Sequence, residues 1–194
     1  MNPNTRRILI IGGAVIVALL LWWLMGWQSS TKVSNTATTT PQGGVSSGPG
    51  GVTVQNSPGT VRDVIADIEY GSRFSQLLSS TGVGATLTGK GPYTVFVSTD
   101  GAFGRLVPGT VNSLSATELK RLVQYHVVVG KRLDVDALQS GQIQALSRDT
   151  LNFNVDAAKK EVYVNSGRVI AAYSTSNGIV YVINSVLVPP KATQ

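Results

Sequence analysis

A run of 20 residues without a charged side chain, at positions 8–27, constrains this chain more than any other feature. An α-helix rises about 1.5 Å per residue, so a helix over this run would be about 30 Å long, which matches the hydrocarbon core of a bilayer. An apolar stretch of this length is typical of a membrane span rather than of a core helix. The sequence therefore predicts one transmembrane helix over residues 8–27.

The flanks of this helix indicate its orientation. Arg6 and Arg7 precede the helix, whereas Lys32 is the only charged residue between it and Arg62. Short cytoplasmic segments carry the excess of Lys and Arg in membrane proteins. We therefore expect residues 1–7 in the cytoplasm and the rest of the chain in the periplasm or outside the cell, in a single-pass arrangement.

A cleaved signal peptide is the alternative interpretation of the same segment. The apolar core of a signal peptide is usually about 7–15 residues long and ends at a site with small residues. The run here is longer, and three tryptophans and Met25 occupy its C-terminal part. Length favours a retained signal anchor. Cleavage near Thr36 and Ala37 stays open, and it would make the protein secreted.

Residues 28–58 have the composition of a tether. Of these 31 residues, 25 are Ser, Thr, Gly, Pro, Asn or Gln, and they show no hydrophobic periodicity. Such a segment buries too little apolar surface to offset the entropy lost on ordering. We therefore predict a disordered tether over residues 28–58, with a root-mean-square span of about 30 Å.

Charge and cysteine content exclude several classes of function. The net charge is +6, but the 13 basic and 10 acidic residues from Arg62 onward leave the remainder of the chain with only +3. These charges are scattered, whereas nucleic-acid binding needs a dense basic stripe, so no nucleic-acid partner is expected. The chain has no cysteine, which excludes disulfides, thiolate metal sites and a thiol nucleophile.

From residue 59 onward the pattern is that of a folded domain, predicted over residues 59–190 with a short tail at 191–194. Helical signals come first: an apolar spacing after Thr60, a second run around Phe74, Asp100 as the cap of a short helix, and a capping box at Ser115 and Glu118. Runs typical of strands lie at residues 93–97, 126–129, 151–155, 161–164, 168–172, 179–183 and 186–188. Helices that mostly precede strands predict the α+β class.

Three segments in register resemble the signatures of one family. Residues 93–103, YTVFVSTDGAF, resemble the pattern TVFAPTNxAF; Tyr125 and His126, with VVVG after them, resemble YHVVxG; and residues 177–189, NGIVYVINSVLVP, resemble NGVIHVIDxVLLP. Their order and spacing resemble the fasciclin domain over about residues 60–190. The resemblance implies a fasciclin-like β-sandwich wedge with packed helices, preceded here by the predicted transmembrane helix.

The chain departs from the family pattern at four polar positions. Tyr181 stands where the family usually has His, Asn184 where it has Asp, and Ser98 where it has Pro, and Tyr173 falls near a position that is often Asp. Contacts that depend on those side chains are not carried over. The apolar positions of the pattern are kept, so the implied fold stands.

The sequence contains no recognisable catalytic constellation. His126 is the only histidine, and it would need Asp134 or Asp136 beside it to act as a base. A ring hydrogen-bonded at the start of a strand is the favoured interpretation. Two carboxylates in one loop fall short of the six to eight oxygens that calcium takes. We predict no enzymatic activity, no cofactor and no metal.

The resemblance also suggests a place for an interaction site. In the family, the Tyr-His element and nearby apolar residues have been linked to adhesion receptors. Carried over, this nominates Tyr125, His126, Leu119, Leu122 and Val123. Core packing is the competing interpretation, because the apolar members lie at helical spacing.

The function implied by the resemblance is that of a membrane-anchored, extracytoplasmic module for cell adhesion. Its expected partners are the membrane, through residues 8–27, and a cell-surface or matrix protein or polysaccharide. The alternative is a carrier that holds a small apolar ligand in a groove between helices and sheet.

Overall fold

The computed structural model describes residues 45–47, 51–138 and 140–191. Within these ranges, no helix combines the length and apolar character that a membrane crossing requires. The predicted transmembrane helix over residues 8–27 lies outside the described residues, as do the predicted cytoplasmic segment 1–7 and most of the predicted tether.

Four short α-helices and three single 3₁₀ turns lie in the first two thirds of the described domain. The helices are α1 (Val61–Asp67), α2 (Ser72–Ser80), α3 (Asp100–Gly104) and α4 (Ala116–Tyr125). The 3₁₀ turns are Glu69–Gly71, Val83–Thr88 and Val135–Leu138.

Side-chain caps explain where two of these helices begin. The Asp63 backbone N–H donates to Thr60 Oγ1 at 3.3 Å, and the Thr60 N–H donates to Asp63 Oδ2 at 2.8 Å. Ser115 and Glu118 form the same reciprocal pair at the start of α4. Each pair satisfies backbone donors that the first helical turn leaves without partners, so the predicted cap at Thr60 and the predicted capping box at Ser115 are confirmed.

The prediction that Asp100 caps its own helix is wrong. Thr99 is the cap of α3, because its Oγ1 accepts from the Ala102 N–H at 3.1 Å. The Asp100 carboxylate accepts instead from Ser72 Oγ and the Arg73 N–H, both at 2.8 Å. Asp100 therefore serves the first turn of a different helix, α2, and joins α2 to α3. A contact between residues so far apart in sequence leaves no local signal.

Nine strands form the rest of the described domain. They are β1 (Val45–Ser47), β2 (Thr53–Asn56), β3 (Tyr93–Ser98), β4 (Val127–Val129), β5 (Ser140–Gln144), β6 (Thr150–Asp156), β7 (Glu161–Val164), β8 (Gly167–Thr175) and β9 (Gly178–Ile183). The strand order is β4-β3-β9-β8-β7-β6-β5, with β2 paired to β8 and β1 paired to β2. The sheet is mixed, since β3 runs parallel to β9 and β2 runs parallel to β8.

Strand β8 belongs to both halves of the sheet. Gly167 and Arg168 pair with β7, whereas the residues from Val169 to the end of the strand pair with β9, with a register shift between Val169 and Ala171. A bulge of this kind bends a strand and increases its twist. The mixed sheet forms a wedge with the helices, which agrees with the predicted α+β class.

Two hydrophobic cores lie on the two faces of the central strands. In β3, Val95 and Val97 pack toward the helices with Phe74, whereas Phe96 packs inside the wedge with Tyr181. Successive side chains of a strand point to opposite faces, so a strand that is covered on both sides reads as a continuous apolar run. This explains why β3 and β9 are buried along their whole length.

The structure differs from the prediction of a tether over residues 28–58. Within that segment, β2 pairs in parallel with β8, from Val54 opposite Ala172 to Asn56 opposite Ser174, and β1 pairs with β2. Val52 is buried in the core inside the wedge. Few apolar side chains in this segment give a sequence signal for these strands. Their pairing depends on the later part of β8, which β7 leaves unpaired.

The predicted strand at residues 186–188 is also wrong, and the strand β5 has no counterpart among the predicted runs. Val186 and Leu187 are buried, but no strand pairs with them. The Leu187 backbone N–H donates to the ring of His126 instead of to a neighbouring strand. Buried apolar residues at this position therefore serve core packing without a ladder of backbone hydrogen bonds.

Candidate functional site

The ring of His126 lies at the junction of three parts of the fold. His126 ends α4 and is fully buried. Its Nδ1 lies 2.8 Å from the Leu122 carbonyl oxygen in α4, and its Nε2 lies 3.0 Å from Ser98 Oγ in β3 and 3.1 Å from the Leu187 nitrogen. One side chain thereby joins a helix, a central strand and the segment after β9.

These partners fix the protonation of the ring. The Leu187 N–H has only a proton to give, so Nε2 accepts and Nδ1 carries the proton that is donated to Leu122. Burial lowers the pKa of His126 from 6.5 to about 4, against a smaller opposing effect of the hydrogen bond to Leu122. The ring is neutral at physiological pH.

The structure does not bring His126 together with the carboxylates that a base would need. The hydrogen-bonding partners of its ring are Leu122 and Leu187, and Ser98 Oγ lies 3.0 Å from Nε2. Asp134 forms an ion pair with Arg132 at 2.9 Å. The Ser98 hydroxyl, fully buried, donates to the Ser185 carbonyl at 3.0 Å. These are the surroundings of a residue that stabilises the fold. They agree with the favoured interpretation of the sequence, a hydrogen-bonded ring at the start of a strand.

The other nominated residues lie mostly in the cores. Tyr125, Leu122 and Val123 are buried, and Leu119 is half-buried on α4. Leu122 and Val123 pack in the core beneath the helices, whereas Tyr125 packs in the core inside the wedge. Partner binding by these residues stays a prediction. The side chain of Tyr125 is buried for the most part, but it also lines a surface cleft.

The hydroxyl group of Tyr125 lies at the base of this cleft. It donates to the Thr150 carbonyl at 2.8 Å and accepts from Asn165 Nδ2 at 2.8 Å. Burial is the main cause that raises the pKa of Tyr125, so the phenol stays protonated. Asn165 also accepts at Oδ1 from the Asn152 N–H at 2.9 Å. The amide of Asn165 is therefore held by two elements at once, by the Asn152 backbone in β6 and by Tyr125 at the end of α4.

Asp149, which also lines the cleft, is held by an ion pair with Arg121. Arg121 holds Asp149 with two bonds, Nε to Oδ2 at 3.0 Å and Nη2 to Oδ1 at 2.6 Å, and also donates to the Pro190 carbonyl at 3.0 Å. The hydrogen bond from Arg121 is the main cause that lowers the pKa of Asp149. The cleft has a volume of about 690 Å³, and its lining includes Tyr125, Arg148, Asp149, Asn152, Asn165 and Val188. We call it the Tyr125 cleft.

A second, smaller cleft of about 310 Å³ lies beside α1 and β8. The hydroxyls of Tyr70 and Tyr173 are 3.3 Å apart there, and Asp67 and Glu69 contribute to the lining. Burial and the contact with Tyr70 raise the pKa of Tyr173 to about 12. Tyr173 is one of the four departures from the family pattern, and here it lines a surface cleft.

Two further departures serve the fold. Tyr181 is fully buried, stacks on Phe96 with ring centroids 5.6 Å apart and donates to the Leu133 carbonyl at 2.6 Å. Asn184 accepts from the Arg168 N–H at 2.9 Å. The Tyr181 hydroxyl and the Asn184 Oδ1 each have a hydrogen-bond partner, which explains how the fold tolerates them.

Sequence reasoning missed most of the Tyr125 cleft. Arg148, Asp149 and Asn152 lie in or beside a turn between β5 and β6, and β5 itself is absent from the predicted strands. Asn165 has only the sequence signal of a turn residue. Its backbone has a φ of 50°, a left-handed conformation that Asn tolerates better than most residues. This preference for a turn is the one local sign of the position that Asn165 takes in the cleft.

Comparison with known proteins identifies the family. A family model described as the fasciclin domain matches residues 70–189. The chain therefore belongs to the fasciclin-domain family, as the resemblance implied. Fasciclin domains are adhesion modules rather than enzymes, and they occur in extracellular and cell-surface proteins. Among the described residues, no group of three or more His, Cys, Asp or Glu side chains is placed to hold a metal ion.

Individual relatives agree with this assignment. Protein sll1483 of Synechocystis is 37% identical over 136 residues, which are 68% of this chain and 74% of that protein. The cell surface glycolipoprotein MPB83 of Mycobacterium bovis is 35% identical over 114 residues, 54% of this chain and 47% of that protein. A solved FAS1 domain pair from the insect cell adhesion molecule Fasciclin I matches with a TM-score of 0.52 at 18% identity, over 66% of this chain and 48% of that one, and it supports the fold.

Proposed function

We propose that this protein is a membrane-anchored, extracytoplasmic fasciclin module that binds a protein or polysaccharide of the cell surface or matrix. The fasciclin family match over residues 70–189 is the observation that carries the proposal. Two similar proteins bear names that refer to the cell surface and to cell adhesion. The folded domain also has an open cleft lined largely by polar groups, of the kind that suits a binding module.

Anchoring rests on the sequence. The uncharged run over residues 8–27 has the length of a bilayer span, and the residues between it and β1 would give the domain freedom of position. Washing membranes at high pH, which strips peripheral proteins, tests this part. Retention of the full chain and release of a variant that lacks residues 8–27 are expected, whereas release of both would contradict the anchor.

The interaction itself is tested with the full chain in its native envelope. Cells that display the chain and cells that display a variant without residues 59–190 are treated with a short cross-linker and fractionated. We expect the full chain to be recovered on envelope polymer or protein, and the variant to be absent from it. Equal recovery of both would overturn the proposal.

The alternative, a carrier of a small apolar ligand, gains no specific support. The space between helices and sheet, where such a groove was predicted, is filled by core side chains such as Phe74, Leu87 and Val182. Native mass spectrometry of protein purified from its own host tests this alternative directly, since a carrier would retain the mass of its ligand.

A further inference from the structure

The Tyr125 cleft carries an inference that rests on the proposed function and narrows it. We propose that this cleft is a saccharide-binding site, which holds the ring of a short oligosaccharide through neighbouring hydroxyl groups. The proposal stands on the fixed polar groups of the cleft, on their remaining hydrogen-bonding capacity, and on the balance of charge within it.

Two of the polar groups that line the cleft, Asn165 and Asp149, are already held in place. Asn165 is fixed through Tyr125 on one side and the Asn152 backbone on the other. Asp149 is fixed by the two bonds from Arg121, and its side chain is only 13% exposed. Groups that are ordered before binding lose little entropy when a ligand arrives, so such a wall is suited to a polar ligand.

These groups retain capacity for further hydrogen bonds. The two oxygens of Asp149 have about four acceptor sites, of which Arg121 uses two and the Ser147 side chain one, so acceptor capacity remains. Asn152 is exposed, and the only bond that its side chain makes among the described residues is a long one, 3.4 Å, from Nδ2 to Asn165. Arg148 is exposed and carries a fork of donors. A sugar hydroxyl both donates and accepts, and adjacent hydroxyls would meet this mixture of acceptors and donors.

The charges argue against other ligand classes. The charge of Asp149 is balanced by Arg121, and among the described residues that line the cleft Arg148 is the one cation. One cation is too few for a polyanion such as nucleic acid, which is held by many phosphate contacts. An apolar ligand would cover the carboxylate and the amides without giving them partners, at a cost of about 1–3 kcal/mol for each group.

The rim and the size of the cleft fit a saccharide as well. Val188 is 57% exposed beside Pro190, and together they offer a small apolar surface for the C–H face of a sugar ring. The volume of about 690 Å³ lies within the usual range of small-molecule sites and leaves room for more than one ring. An open cleft excludes water incompletely, so we expect a weak interaction, strengthened by display of many copies on one membrane.

The test uses the full chain in lipid nanodiscs, titrated with chitotetraose, cellotetraose and tetragalacturonate by calorimetry and by ligand-observed NMR. The variants are Asn152→Ala and Arg148→Gln. Asn154→Ala is the matched control, because Asn154 is the same residue type, equally exposed on the same face of β6, and lies outside the lining of the cleft. We expect at least one probe to bind, with about tenfold weaker affinity for both cleft variants and less than a twofold change for the control.

Two results of the titrations would overturn the inference. One is the absence of binding by all three probes at about 10 mM, well above the range of weak specific affinities. The other is an equal loss for Asn152→Ala and Asn154→Ala. The same variants in the envelope cross-linking assay separate this inference from the proposed function. If Asn152→Ala is recovered on the envelope as well as the unaltered chain, the saccharide site is wrong while the adhesion role stands. If the unaltered chain is not recovered, the adhesion role itself fails.

Discussion

Tyr125 and His126 are neighbours in the chain, yet they belong to regions with opposite properties. His126 lies in a fully buried network in which Nδ1 donates to Leu122 in the same helix and Nε2 accepts from the distant Leu187 N–H. Tyr125 directs its hydroxyl to the base of an open cleft, where the polar groups keep spare capacity. The end of α4 sends consecutive side chains to opposite faces of the sheet. One sequence element therefore stabilises the fold and shapes a surface at the same time.

The largest expected effect comes from a substitution in the buried network around His126. His126→Ala removes the hydrogen-bond partner of both the Leu187 N–H and the Leu122 carbonyl and leaves a cavity beside Phe74. We expect the free energy of unfolding to fall by about 4 kcal/mol, measured by urea denaturation. Leu119→Ala, on a half-buried position of the same helix, is the control, and a comparable loss there would contradict a special role for His126.

The pH dependence of stability is expected to follow the same ring. The pKa of His126 is about 4 in the folded protein and 6.5 without burial, so the unfolded chain binds more protons between these values. Its contribution is complete above about pH 6.5, declines as the pH falls, and is lost as the pH passes about 4. We expect a loss of about 2 kcal/mol between pH 7.5 and pH 5.

Urea denaturation at several pH values between 5 and 7.5 measures this slope. His126→Gln removes the titrating group, and the slope of the variant should be nearly flat over that range. A slope that is the same in the variant and in the unaltered chain would show that other groups cause it.

A smaller effect is expected for a substitution at the Tyr125 cleft. Tyr125→Phe keeps the ring in the core inside the wedge but removes the bonds to the Thr150 carbonyl and Asn165. Water reaches the cleft and replaces these partners in part, so we expect a loss of about 1 kcal/mol in the free energy of unfolding. Oligosaccharide affinity should fall as well, because Asn165 loses one of its supports. Tyr163→Phe, whose hydroxyl bonds Glu161 away from the cleft, is the matched control and should leave affinity unchanged.

The smallest effect is expected for the ion pair between Arg121 and Asp149, of which Asp149 lines the cleft. Arg121→Met removes the ion pair with Asp149, whose two side chains are 32% and 13% exposed. Partly exposed ion pairs contribute about 0–1 kcal/mol, so the free energy of unfolding should change by less than about 1 kcal/mol. Raising the salt concentration should reduce even this difference. A loss above about 2 kcal/mol would show that the cleft is part of the stabilising network, and the comparison between the two regions would fail.

The sequence predicted elements whose signals are local. The caps at Thr60 and Ser115, the buried run of β3 and the strands β7 and β9 follow from residue types and periodicity within a few positions. The strands β1 and β2 escape prediction because weak alternation around Val52 and Val54 becomes a strand only beside the open edge of β8. The strand predicted at Val186 and Leu187 fails for the converse reason, since the segment is apolar enough but its backbone donor goes to His126.

The candidate site was less predictable than the fold. The nomination of Tyr125 points to one group at the base of the cleft, but Leu122 and Val123 belong to the core. Arg148, Asp149 and Asn152 carry no motif, and they meet Asn165 only because β6 pairs with β7.

The sequence alone determined the class of the domain, the family signatures and the apolar run that predicts an anchor, because each depends on residues adjacent along the chain. The tertiary structure decided which member of the Tyr-His pair is buried in a closed network and which one faces a cleft. It also decided that Asp100 supports a distant helix and that residues 53–56 join the sheet. These features depend on hydrogen bonds between segments far apart in sequence, and such partners are defined only when the chain has folded.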